Sequence, residues 1–208
     1  MSKKTSRVSF VLLAVGLIAV VAILVAVQKS ATANSRSSLS ATIIIDDEAV
    51  KKYKGMAALS SEERKNIFRE SSANDKSALW QVHFSEYKKA HPDLSSEQIK
   101  VLEEAANLAI PLTFSLPGNQ QIKNAVIGKA LQNLRNHAVA TFSQDEARKL
   151  FAQLGNAEAS IVVRRDCNCS TIDTWCGGNY CRDHAYNGCS TSDWGCGTLW
   201  MASCNGGC

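Results

Sequence analysis

Residues 167–208 read CNCSTIDTWCGGNYCRDHAYNGCSTSDWGCGTLWMASCNGGC and hold all eight cysteines of the 208-residue chain. The spacing is C-x-C-x6-C-x4-C-x7-C-x6-C-x7-C-x3-C. A cysteine density this high in a short segment is the composition of a disulfide scaffold. A segment of this size cannot bury enough apolar surface by itself, so it needs covalent staples. Four bridges would use Cys167, Cys169, Cys176, Cys181, Cys189, Cys196, Cys204 and Cys208 with none left over. The pairing stays open, because eight cysteines allow 105 connectivities. Zinc is the rival reading. It is disfavoured because only Cys176 and Cys181 have a knuckle-like gap, and His184 is the single histidine nearby.

Disulfides need an oxidising compartment, which predicts an export signal elsewhere in the chain. The amino end supplies one. Lys3, Lys4 and Arg7 precede an 18-residue run from Phe10 to Val27 without a charged or polar side chain. That length lies between a signal h-region and a minimal membrane-spanning helix. Ala31-Thr32-Ala33 fits a signal peptidase site, with cleavage after Ala33. Residues 1–33 are therefore expected to be a signal peptide or signal-anchor. The remainder is expected to be secreted, or membrane-anchored with its C-terminal part outside the cytoplasm. Export machinery and signal peptidase are the partners this implies.

The net charge is +4, and Lys3, Lys4, Arg7 and Lys29 supply as many positive charges within the first 33 residues. The exported remainder is close to neutral, which gives no footing for nucleic-acid binding.

Residues 34–58 read as a linker. It starts serine-rich, and its later part, IIIDDEAVKKY, is compatible with a strand or a first helical turn. Residues 59–155 read as a small helical bundle. Ser60 with Glu63, Ser95 with Gln98 and Ser143 with Glu146 have the spacing of capping boxes. One helix is expected from about Asp75 to Ala90, with Leu79, Trp80, His83, Phe84, Tyr87 and Ala90 on one stripe. The next carries Ile99, Leu102, Ala106, Ala109 and Ile110 inward and ends at Pro111. A longer one, from about Asn119 to Ala140, has Ile127, Leu131, Leu134 and Ala138 inside. The last has Ala147, Leu150, Phe151 and Leu154 inside, with Gly155 as a C-cap glycine. The expected fold class is mainly α: signal or transmembrane helix, helical-bundle pro-region, then a small disulfide-rich module at 167–208.

Chemistry is sparse. His83 lies within an apolar stripe, where a packed, hydrogen-bonded ring is the simplest reading. Glu103 and Glu104 are adjacent and face different ways. There is no nucleophile elbow, no phosphate-cradling loop and no His-Glu-x-x-His. The chain reads as a non-enzyme, with no catalytic residue, metal ligand or cofactor assigned. Residues 156–166 form a second linker, and its dibasic Arg164-Arg165 is a candidate processing site. Cleavage there would release the tail. The tail also carries Trp175, Tyr180, Tyr186, Trp194 and Trp200. A free module this small cannot bury all of these, so they are the expected contacts to a target. Its charges, Asp173, Arg182, Asp183 and Asp193, are slightly acidic. That argues against a cationic mode of membrane attack.

Several of these residues carry a resemblance. Cys167 to Thr171 (Cys-x-Cys-Ser-Thr), Trp175-Cys176, the run Gly195-Cys196-Gly197-Thr198 followed by Trp200, and Cys204-Asn205-Gly206 resemble the fulvocin C-related bacteriocin family. Trp80-Gln81-Val82-His83 and Glu97-Gln98 are similar to elements of the helical region in its precursors. The stretch with Gly177-Gly178-Asn179 departs from the family spacing, so no bridge pattern is carried over. The resemblance implies an exported bacteriocin precursor whose C-terminal peptide binds the surface or membrane of a competing bacterium. Two other classes remain. One is a membrane-anchored cell-surface interaction protein with the cysteine module as its binding head. The other is a lanthipeptide-type precursor, in which Ser170, Thr171, Thr174 and Ser190 dehydrate and join to cysteines.

Overall fold

The computed structural model describes residues 45–117, 119–155, 170, 172, 173, 175 and 191–205. By its contacts the chain divides into Met1–Thr42 and Ile43–Cys208, and every described residue belongs to the second unit. The export segment with Ala33, the pair Arg164-Arg165, Tyr180 and Tyr186 lie outside the described residues. So do Cys167, Cys169, Cys176, Cys181, Cys189 and Cys208. Among the described residues, no helix is long and apolar enough to cross a membrane.

The unit is mainly helical. Helix α1 (Asp47–Ala57) resolves the open choice in the first linker in favour of helix. Asp46 caps it by accepting from the Ala49 amide at 2.7 Å, and Asp47 and Glu48 place acids at its positive end. Residues 47–57 are thus part of the packed unit and not linker, with Met56 buried in the core.

Helices α2 (Ser61–Glu70) and α4 (Ser96–Leu108) each start with a closed capping box. The Ser60 amide donates to Glu63 Oε2 at 2.9 Å, and the Ser95 amide donates to Gln98 Oε1 at 2.9 Å. Helix α3 (Ala73–Ala90) lies between them, capped by Ser72 and ended at His91, ahead of Pro92. Helix α4 turns Val101, Leu102 and Ala105 inward. Ile99, expected inside, is exposed, because the first turn of α4 stands clear of the core. Pro111 does not merely end α4; it opens the short α5 (Pro111–Phe114), where its missing amide has no cost.

The expected long helix is continuous from Gln120 to Phe142 but not uniform. Helix α6 (Gln120–Lys123) passes through a π-turn (Asn124–Gly128) into α7 (Lys129–Phe142). Its predicted inner residues Ile127, Leu131, Leu134 and Ala138 are all buried. Helix α8 (Gln144–Phe151) follows after a single residue, Ser143. Ser143 ends one helix and caps the next, and it adopts φ 81° to do so. The third capping box is only half made. Ser143 Oγ accepts from the Glu146 amide, but the Glu146 carboxylate turns away to accept from Tyr87 Oη at 2.6 Å.

The tail adds an antiparallel hairpin, β1 (Thr191–Cys196) with β2 (Ala202–Asn205), around a short 3-10 turn at Thr198–Trp200. Leu199, Trp200 and Met201 of that turn share one apolar cluster with Phe68, Trp80, Leu102, Leu131 and Phe151 of the helices. The cysteine-rich end therefore completes the core of the helical bundle.

Candidate functional site

The hairpin tip is the place where the helical region and the cysteine-rich tail meet. Cys196 and Cys204 are joined by a disulfide, with 5.1 Å between their Cα atoms. The bond closes a ring around residues 197–203, and both sulfurs are used, so neither is free for a thioether. Within the ring Gly197 takes φ 70°, and Leu199 and Trp200 take φ 56° and 54°. Left-handed backbone at L-residues costs roughly 1–2 kcal/mol each. The surroundings must therefore hold it in place.

A buried polar neck does part of this. The Asp173 carboxylate is 6% exposed. It accepts the Thr198 amide at 3.2 and 3.0 Å and also the Thr198 hydroxyl. Ser170 Oγ lies 3.0 Å from Asp173 Oδ1. Thr198 Oγ1 in turn accepts the Trp175 indole N–H at 3.0 Å. Burial pushes the Asp173 pKa up, while the Thr198 and Ser170 bonds and the charge of Arg135 oppose the shift. Gly197 is required here, because a Cβ at that position would stand 2.2 Å from Asp173 Oδ1.

An apolar seat does the rest. Trp200 is 1% exposed. Its ring meets Phe68 edge-on at 5.3 Å between centroids and Trp80 at 6.1 Å. Its indole N–H donates to the Ala152 carbonyl at 2.8 Å, just past the end of α8. The Trp80 indole N–H is buried without an acceptor among the described residues.

Beside the seat two buried lysines hold Trp194. Lys123 sets its ammonium 3.4 Å from the ring centroid and also donates to the Asp193 carbonyl. Lys76 stands 5.2 Å from the same ring and donates to the Arg69 carbonyl at 3.2 Å. Burial lowers the pKa of both lysines, that of Lys123 to about 8. Cation–π contact partly offsets the loss of hydration.

Of the aromatics expected to meet a target, Trp175 and Trp200 are buried and Trp194 is half-buried. The expectation assumed a module without a core of its own, and the helices provide that core. The residues the sequence reading missed are Lys76, Lys123, Asp173 and Thr198. Lys123 was detectable in principle, since it stands four residues before Ile127 on the inner stripe of its helix.

His83 is a packed ring. Its Nε2 faces the Leu150 carbonyl at 3.0 Å and must donate to it, which leaves Nδ1 to accept from Tyr53 Oη at 2.8 Å. Burial, opposed by the Leu150 bond, lowers its pKa to about 4, so the ring is neutral. Among the described residues, no group of three His, Cys, Asp or Glu side chains could hold a metal. The arrangement at the tip is suited to holding a peptide segment, since Ser170, Asp173, Trp175, Thr198 and the Trp200 indole are engaged in backbone and side-chain bonds. Compared with protein-family models, curated proteins and solved structures, the chain matches none.

Proposed function

We infer that this chain is an exported, bacteriocin-like precursor. In this reading residues 1–33 direct export and the helical region is the pro-region. The C-terminal cysteine-rich peptide acts against competing bacteria by binding a cell-surface or membrane target. The observation that carries the reading is the seating of Leu199, Trp200 and Met201 in the core of the helical bundle. A pro-region that keeps an active peptide silent has to cover the surface that peptide would use, and of the described tail's tryptophans Trp175 and Trp200 are buried and Trp194 is half-buried. The resemblance of the cysteine segment to the fulvocin C-related family supplies the antibacterial part of the proposal. No bond-making chemistry is assigned to the chain.

The test is the intact mass of the cysteine-rich product from culture medium, before and after reduction. A short species beginning near Asp166 that gains one hydrogen for each of its eight cysteines supports the reading. Full-length protein confined to membranes refutes it. That second outcome would favour a membrane-anchored interaction protein. The same interlock lends that reading weight, because a tail that completes the bundle core is suited to an undivided chain.

A further inference from the structure

The helical region covers one face of the tail with three kinds of group. The ammonium groups of Lys123 and Lys76 lie 3.4 and 5.2 Å from the centroid of the half-buried Trp194 ring. The Ala152 carbonyl accepts the Trp200 indole N–H at 2.8 Å. Around it Leu199, Trp200 and Met201, each 1% exposed or less, meet the rings and chains of the core. Ammonium, carbonyl and hydrocarbon are also the three kinds of group offered by a bilayer whose headgroups carry amines above glycerol esters. Tryptophan suits that boundary because one end of the indole is apolar and the other donates a hydrogen bond.

The charge of this face selects among lipids. Residues 191–205 contain one acid, Asp193, and no lysine or arginine. An anionic surface would gain nothing from such a segment. An amine headgroup can take up both the Trp194 ring and the acid beside it.

We propose that the tail face formed by Trp194, Leu199, Trp200 and Met201 binds a zwitterionic, amine-bearing lipid interface, and that the helical region blocks this face by standing in for that interface. The proposal rests on the precursor reading and names the target chemistry of its peptide. The ring closed by Cys196 and Cys204 and the bonds of Thr198 to Asp173 stay with the tail, which limits the ordering of Leu199, Trp200 and Met201 required at the membrane.

The experiment uses the oxidised, folded chain from Asn34 onward, the exported form in this reading, with a site-specific protease sequence in place of Arg164-Arg165. It is sedimented with vesicles of phosphatidylethanolamine and phosphatidylcholine, before and after cutting, with both pieces left in the mixture. The uncut chain is expected to stay in the supernatant. After cutting, the tail is expected in the pellet, with Trp emission quenched by brominated lipid. Trp200→Ala is expected to lower the bound fraction about tenfold, the scale of one large side chain leaving an apolar phase. The quenching needs no substitution, so the face is tested even if that variant does not fold. A tail that remains with the helical piece, or free in solution, overturns the proposal. Preference for phosphatidylglycerol vesicles overturns the amine assignment. Binding to cells but to no vesicle assigns the face to a protein receptor instead. Because the cut is engineered, these results do not depend on natural processing, which the mass of the secreted product reads separately.

Discussion

Lys123 holds its ammonium against the face of Trp194, 3.4 Å from the ring centroid, and bonds the carbonyl of Asp193, the residue before it. The contact joins the helical region to the tail through a buried charge, and it makes stability depend on alkaline pH. Burial lowers the Lys123 pKa from 10.5 to about 8, with Asp193 opposing and Lys76 adding to the shift. Between those values the unfolded chain binds more protons than the folded one, so stability rises as pH increases through that window. Guanidinium unfolding at about pH 7.5 and about pH 9.5 should show a gain of about 1–3 kcal/mol, and Lys123→Met should remove most of it. Tyr53 does not mask the gain, because burial raises its pKa to about 12 and its effect begins only where an unfolded tyrosine ionises. A flat wild-type profile would mean that the ammonium is hydrated.

An acid-side window follows from His83. Its folded pKa of about 4 lies below the ordinary 6.5, mainly because the ring is buried. Stability from this group is complete above pH 6.5 and is lost as pH falls toward 4, by about 3 kcal/mol at most. Asp173 acts in the opposite sense, because its raised pKa favours the folded state as pH falls. His83→Gln separates the two: the variant should be less stable at neutral pH yet lose less on acidification. An unchanged acid slope would exonerate His83.

Trp200→Ala should cost about 3–5 kcal/mol, the usual scale for removing a core aromatic. It deletes the ring contacts to Phe68 and Trp80 and the bond to the Ala152 carbonyl. Urea unfolding followed by helical circular dichroism is the informative readout, since the helices themselves should melt earlier. A loss under about 1 kcal/mol would show that the bundle is stable without its tail.

Two glycines should respond in opposite directions. Gly197→Ala puts a methyl 2.2 Å from Asp173 Oδ1 at a backbone φ of 70°, so it should destabilise the fold and lower the yield of the Cys196–Cys204 bond on oxidative refolding. Gly55 lies inside α1 with nothing within 4 Å of a built Cβ, so Gly55→Ala should stabilise by about 0.5–1 kcal/mol. Thermal melts and peptide mapping check both.

Much of the helical region was legible because its signals are local. Ser60 with Glu63, Ser95 with Gln98, and the stripe from Ile127 to Ala138 depend on neighbours a turn away in sequence. Ser143 with Glu146 shows where local reading ends: the same spacing is present, but Tyr87, far off in sequence, captures the carboxylate. The π-turn at Asn124–Gly128 left no sign, since a run of mostly weak helix formers with one glycine reads the same for an α-turn as for a π-turn. The tail was legible as chemistry and not as placement. Cysteine density announced cross-links, but the burial of Trp200 depends on a seat formed by residues of the helical region more than forty positions upstream, Phe68, Trp80 and Ala152 among them. Lys76 and Lys123 gave no sequence signal because a lysine is seldom buried, and their position is made tenable by the ring of Trp194 together with the Arg69 and Asp193 carbonyls.

The single residue between α7 and α8 gives that junction a gear-like register. Ser143 terminates one helix and starts the other with no spare length, so α8 has no slack in which to absorb a shift. One residue inserted there would turn α8 by about 100° about its axis. Ala147, Leu150 and Phe151 would rotate out of the core, and Ala152 would carry away the carbonyl that receives Trp200. The angular setting of a two-turn helix at the end of the bundle thus indexes whether Trp200 can lock.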